Sequence, residues 1–226
     1  MAEKTIGRVT GTLLVLQIAG LIGGYAMLHP IRAELFLRSA AKAAGPIGVA
    51  VIWLILTCAL AVAISVQVSR VLPQQATALA RVLLGAAVLM LVLQIADAFY
   101  IFQMLGISVA YASDGASADI ERIAALTAAT RRLVHYAELF TIDVWMFLLY
   151  GALHFYRMVP RAVTAASFTG AALHFFGLLL PMMLGNRGVV ALGAAMALGH
   201  LILAFWLIAK GFSVPQATSA TDSTFV

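Results

Sequence analysis

The chain has 226 residues, of which 63% are hydrophobic and 10% charged, with a mean hydropathy of +1.03. A soluble domain carries about a quarter charged residues, so this composition excludes a water-soluble globule and points to a polytopic membrane protein. The formal charge of +5 comes from lysines and arginines scattered over loops and helix ends, with no cluster longer than Arg131-Arg132; that pattern speaks against a nucleic-acid partner and suits anchoring at lipid headgroups.

Apolar runs predict six membrane-crossing helices over 9–29, 47–68, 80–105, 132–156, 161–184 and 188–210. Each is near the length of about 20 residues that some 30 Å of hydrocarbon requires. Pro30, Pro46, Pro73, Pro160 and Pro215 fall in connections or at boundaries, and Pro181 in the last turn of the fifth run. Proline lacks a backbone donor and disfavours helix in the residue before it, so this placement marks ends. The first run lacks a small-residue cleavage site and reads as a span, not a cleaved signal.

Two connections are more than turns. Residues 31–45 mix Arg32, Glu34, Arg38 and Lys42 with Leu35, Phe36 and Leu37, which predicts a short interfacial helix. Residues 106–131 start as a loop around Asp114-Gly115. They then place Ile120, Ile123, Ala124 and Ala128 at helical spacing, so this stretch should run straight into the fourth span. The polar tail 213–226 has little to bury and is expected to be disordered. The predicted fold is therefore all-α, a six-span bundle over 1–212 with one or two short interfacial helices.

An even number of spans puts both termini on one side. The basic residues divide evenly between the two sides, so the positive-inside rule does not choose. The connections on the terminal side are short, basic and free of acid, which favours termini in the cytoplasm of a bacterial inner membrane.

The fourth run contains the chemistry. It carries His135, Glu138 and Asp143 in a stretch apolar enough to cross a bilayer. An ionisable group at the centre of a membrane helix costs at least about 2.5–3.5 kcal/mol on insertion scales, so each demands a partner, a wet cavity or a bound species. At about 1.5 Å per residue, Gln17, Gln94, Asp143, His174 and His200 lie within roughly 4 Å of the midplane, and Asp97 and Glu138 about 7–10 Å away from it. No Lys or Arg lies deep in a span. The available partners are His135, His174, His200, and Arg131 or Arg132 reaching inwards.

Helical periodicity adds direction. Gln94 and Asp97 share a face of the third span. Glu138 and Asp143 point roughly 140° apart, so the fourth span is polar on two sides and should be the most enclosed. His174 and His200 each sit on a strip of small residues, including Gly170, Gly177, Gly193 and Ala197. Small residues four apart, such as Gly7/Gly11 and Gly20/Gly24, allow helices to approach closely.

Two readings of these residues compete. The histidines could hold a haem b by bis-His ligation, with the glycines making room, or they could hydrogen-bond to Asp143, Gln94 or each other. The acids could be neutral and hydrogen-bonded across the bundle, or could form a proton, cation or ligand site. His135-x-x-Glu138 reverses the spacing of di-iron bundles, but a second pair, an HExxH and a Cys/His cluster are missing, so no metal is expected. There is no GxSxG to support nucleophilic catalysis. The single cysteine, Cys58, rules out an intrachain disulfide and reads as a small core residue.

The closing run Leu201–Phe212, with Phe205-Trp206-Leu207 and Lys210-Gly211-Phe212, resembles the C-terminal signature of a bacterial six-helix family, domain of unknown function 4386. The turn Tyr156-Arg157-Met158-Val159-Pro160-Arg161, the opening Arg8-Val9-Thr10-Gly11-Thr12 and Arg81 are similar to it too. The chain departs from that pattern at His200, where the family tends to carry an acid. The resemblance implies a fold and a location and supplies no activity, cofactor or substrate.

The expected function is binding or passage of a small apolar or amphipathic ligand, lipid or quinone-like, in a polar pocket formed by spans three to six. Asp97, Glu138, Asp143, His174, His200 and Gln94 would serve as its ligand or proton site. The alternatives are a haem b redox protein and a structural subunit of a membrane complex or homo-oligomer.

Overall fold

The computed structural model describes residues 2–32, 36–184 and 190–213. Eight α-helices account for nearly all of them: α1 (Ala2–Met27), α2 (His29–Arg32), α3 (Phe36–Ser39), α4 (Ala44–Ser69), α5 (Thr77–Asp114), α6 (Ala118–Phe155), α7 (Arg161–Leu184) and α8 (Val190–Lys210). There is no strand among the described residues. In hydrocarbon every backbone polar group must be satisfied within the protein, and a helix does this within its own segment.

Six helices are long and apolar enough to cross a membrane: α1, α4, α5, α6, α7 and α8. Each packs against its chain neighbours, and α1 also packs against α8, so the spans close into a ring. The predicted glycine pairs hold the seams. Gly7 and Gly11 bring α1 against the end of α8, at Gly211 and Ala204, while Gly20 and Gly24 bring it against Thr57 and Leu54 of α4. Gly170 and Gly199 do the same between α7 and α8. The outward faces carry Trp53, Leu89, Val92, Phe99 and Phe102, as a lipid-facing surface should.

α6 is the most enclosed span. Half of its membrane window is buried, against at most 44% in any other. It starts on a capped turn, where Ser117 accepts from the Ile120 N–H at 3.2 Å, with Asp119 and Glu121 in its first turn complementing the helix dipole. Trp145 and Tyr150 are fully buried on it, and the Trp145 indole donates to Ser65 of α4 at 2.9 Å. At the other end Arg157 adopts a left-handed φ of 53°, and Ser213 N–H donates to Met158 C=O at 2.8 Å, tying the end of α8 to the α6–α7 turn.

The structure extends two expectations. The third span continues as helix to Asp114 and does not end near 105; no proline interrupts it, Gly106 is accommodated within the helix, and Gly115, with a φ of 84°, ends it. The interfacial segment is two short helices, α2 and α3, followed by a 3-10 turn over Ala41–Ala43, with Glu34 and Leu35 outside the described residues. Ser108 on the α5 extension fastens this segment: its hydroxyl lies 2.9 Å from Leu37 C=O and 3.2 Å from Phe36 C=O and accepts from Ala41 N–H at 2.9 Å. The tail expected to be disordered lies, beyond Ser213, outside the described residues.

Candidate functional site

The two polar faces of α6 meet different neighbours. On the first, Glu138 is fully buried and its Oε2 lies 3.3 Å from Nδ1 of His135, one turn earlier on the same helix. Asp97 of α5, also fully buried, pairs with Arg131. Nη2 donates to Oδ2 at 3.1 Å, and Nε lies 3.1 Å from Oδ1 without hydrogen-bond alignment. Arg131 is itself buried, because its long side chain reaches inward from the start of the span. Donor atoms of Asp97, His135 and Glu138 lie within 4.8 Å of one another, the separation of a metal-binding group. The Arg131 guanidinium already supplies the positive charge at Asp97, so a cation there would compete with it.

On the second face, fully buried Asp143 places Oδ1 2.7 Å from Nδ1 of His174 on α7. Two turns further along α6, the Tyr150 hydroxyl lies 2.8 Å from Nδ1 of fully buried His200 on α8. Near the terminal side His154 bonds Thr164 at 2.8 Å. Gln94 is fully buried and accepts a weak bond from the Cys58 thiol at 3.7 Å. Several atoms of this interior find no hydrogen-bond partner among the described residues: Glu138 Oε1, Asp143 Oδ2, Gln94 Nε2 and His200 Nε2.

A partly open cavity of about 1150 Å³ lies beside these pairs. Its walls come from α1, α6, α7 and α8, with α3 and the end of α5 at its rim. The expectation of a pocket between spans three and six thus shifts: α1 forms one wall, through Ile18, Leu21, Ile22 and Tyr25, while α5 gives only Met104 and Tyr111. The i, i+3, i+4, i+7 spacing of those α1 residues was legible as one helical face, though nothing in it distinguished a cavity wall from packing.

Of the six sequence-predicted site residues, His174 lines this cavity; Asp97, Glu138, Asp143, His200 and Gln94 are buried and do not line it. Three of these five reach it through a partner, Asp97 through Arg131, Glu138 through His135 and Asp143 through His174, and all three partners are on the wall. Arg38 on α3 and Arg132 on α6 add charge at the rim.

Part of the strip between His174 and His200 is helix contact. A Cβ at Gly170 would meet Ala195 C=O at 2.5 Å, and one at Gly199 would meet Ala166 C=O at 3.0 Å. Ser167 bridges the same seam, donating to Gly199 C=O at 2.9 Å. The two imidazoles turn to different partners, Asp143 and Tyr150; Gly170 and Gly199 bring the two backbones together, while Gly177 and Gly193 border the cavity.

Six apolar helices in a closed ring, with paired ionisable groups sequestered inside, define a multi-pass integral membrane protein. The chain belongs to the family described as Domain of unknown function (DUF4386), whose model matches residues 9–211. No curated protein and no solved structure shows a significant match to it.

Proposed function

We propose that this protein binds an amphipathic ligand, of lipid or quinone type, inside the membrane, and that it does so in a bacterial inner membrane with both termini in the cytoplasm. The observation that carries this reading is the cavity of about 1150 Å³. Its lining is mostly apolar around Ile18, Leu139, Ile142 and Met196, with Arg38 and Arg132 at one end and His174 in the wall. Sites for small ligands are concave, largely apolar and furnished with a few convergent polar groups, and this cavity has that composition at a size suited to a long-chain molecule. A buried pair of charges has no need of such a space, whereas a hydrocarbon chain with a polar head does.

Mass spectrometry of the gently extracted protein tests the reading. An amphiphile retained by the natural protein should be reduced or lost in Gly193→Trp, whose side chain would project into the cavity beside His174. At Gly193 a Cβ meets only the His174 ring, at 3.7 Å, so the new side chain starts without a clash. If the two proteins carry the same lipids in the same amounts, the cavity is not a ligand site.

A further inference from the structure

We infer that the cavity selects ligands bearing a hydrogen-bond-acceptor oxygen, a carbonyl above all, which accepts from Nε2 of His174. This inference rests on the ligand-binding reading above and gives it a chemical class.

The geometry comes first. Nδ1 of His174 is held by Asp143 at 2.7 Å, and the side chain keeps 13% exposure where it lines the cavity. The ring edge carrying Cδ2, the neighbour of Nε2, faces Gly193, which lines the cavity too. Nε2 has no hydrogen-bond partner among the described residues. One nitrogen is therefore fixed by a buried carboxyl and the other is presented to the space.

The protonation of that second nitrogen follows from the surroundings. α7 carries no charged residue beyond Arg161 apart from His174, and α8 none before Lys210 apart from His200. On α6 Arg131 and Glu138 are taken up by Asp97 and His135, so a net charge on the Asp143–His174 pair would be poorly compensated in an apolar interior, which is costly. The pair has three net-neutral states. In one, a carboxylate faces an imidazolium; in the second, a carboxylic acid donates to a neutral imidazole through Nδ1; in both, Nε2 carries hydrogen and is a donor. The third, an acid protonated on Oδ2 whose Oδ1 accepts from Nδ1–H, leaves Nε2 bare but buries an unpaired O–H, because Oδ2 has no hydrogen-bond partner among the described residues.

The basic groups of the wall have the same sense. His135 is held through Nδ1 by Glu138, as His174 is by Asp143. Arg38, Arg131 and Arg132 offer donors alone, the hydroxyls of Tyr25, Tyr111 and Tyr136 donate or accept, and among the described residues the only carboxylate on the lining is Glu121, exposed at the rim. A ligand that matches this wall brings acceptors. An ester, ketone or quinone carbonyl accepts from Nε2 and leaves nothing unpaired. An alcohol accepting from Nε2 needs a second partner for its own hydroxyl hydrogen, which the imidazole does not offer.

The test compares methyl palmitate with hexadecanol, titrated into the full-length protein in detergent and followed by native mass spectrometry. The ester should bind at least tenfold more tightly. In His174→Phe the ratio should collapse to within twofold, with hexadecanol affinity unchanged, while His174→Gln, which keeps an N–H donor, should retain part of the preference. If His174→Phe does not fold, the ¹⁵N resonance of His174 Nε2 in the natural protein serves instead: it should report a bound hydrogen and shift when the ester is added. Equal binding of the two probes, tighter binding of the alcohol, or an ester preference that survives in His174→Phe would overturn the inference while the cavity remains a ligand site. Failure of both probes, with no amphiphile co-purifying, would overturn both readings.

Discussion

Glu138 and Asp143 stand five residues apart on α6 and turn to opposite sides of it, Glu138 toward the α5 side where Asp97 lies and Asp143 toward α7. Each holds the Nδ1 of a histidine that lines the same cavity. One helix thereby hides two carboxyl groups from lipid while placing two imidazoles at the ligand-facing surface. Most of the polar interior is organised by this repetition.

The Asp97–Arg131 pair is a buried ion pair on which folding should depend strongly. Removing one partner of a buried ion pair leaves an uncompensated charge and costs about 3–5 kcal/mol, whereas replacing both by apolar residues is often nearly neutral. Arg131→Leu alone should therefore destabilise the bundle by about that amount, and Arg131→Leu with Asp97→Leu should recover most of it. Equilibrium unfolding in mixed micelles measures the difference. Additive losses in the double variant would show that the two side chains act independently, contrary to the 3.1 Å contacts.

Much of this arrangement was legible in the sequence. Hydropathy and proline placement gave six spans, because a lipid-spanning helix has few compositional alternatives. The helical angle between Glu138 and Asp143 predicted two polar faces. Arg131 was legible only as a candidate partner, since how far an arginine reaches depends on where the helix end sits. The cavity was not legible. It exists because α1 packs against both α4 and α8 and because Ser108 holds α3 at the rim; the Gly7/Gly11 and Gly20/Gly24 pairs signalled that α1 approaches other helices closely, but not which ones, and Ser108 gave no local signal. For the same reason Gly106 and Ser108 read as the start of a loop, although Ser108 sits fully buried on a continuing helix.

The glycines separate into two classes that substitution can distinguish. Gly170 lies where α7 and α8 touch, and an added Cβ would press on the Ala195 carbonyl, a backbone atom that cannot rotate away. Gly170→Leu should cost about 1–3 kcal/mol or more through overpacking and should loosen the seam that carries His174 and His200. Gly85 on α5 has nothing within 4 Å of its Cβ position, so Gly85→Ala should leave stability unchanged or slightly raised. Thermal unfolding of the two variants side by side checks this; equal effects would mean that the α7–α8 contact is not close.

Ser108 offers a way to disturb the cavity without touching its lining. Its hydroxyl is fully buried and engages the α3 segment from both sides, near the carbonyls of Phe36 and Leu37 and receiving the Ala41 N–H. Phe36, Leu37 and Arg38 border the cavity, while Ser108 does not. In Ser108→Ala the Ala41 N–H loses its acceptor, and a buried donor left unpaired costs about 1–3 kcal/mol. That cost falls on the short segment and not on the six spans, because α2 and α3 are single turns with no long packing face of their own. Amide hydrogen exchange over 36–43 should therefore quicken by roughly ten- to a hundredfold, with exchange in the spans unchanged. Retained ligand should fall with it, since Arg38 would no longer be held at the rim. Exchange that stays slow in this segment would mean that contacts other than Ser108 hold it in place.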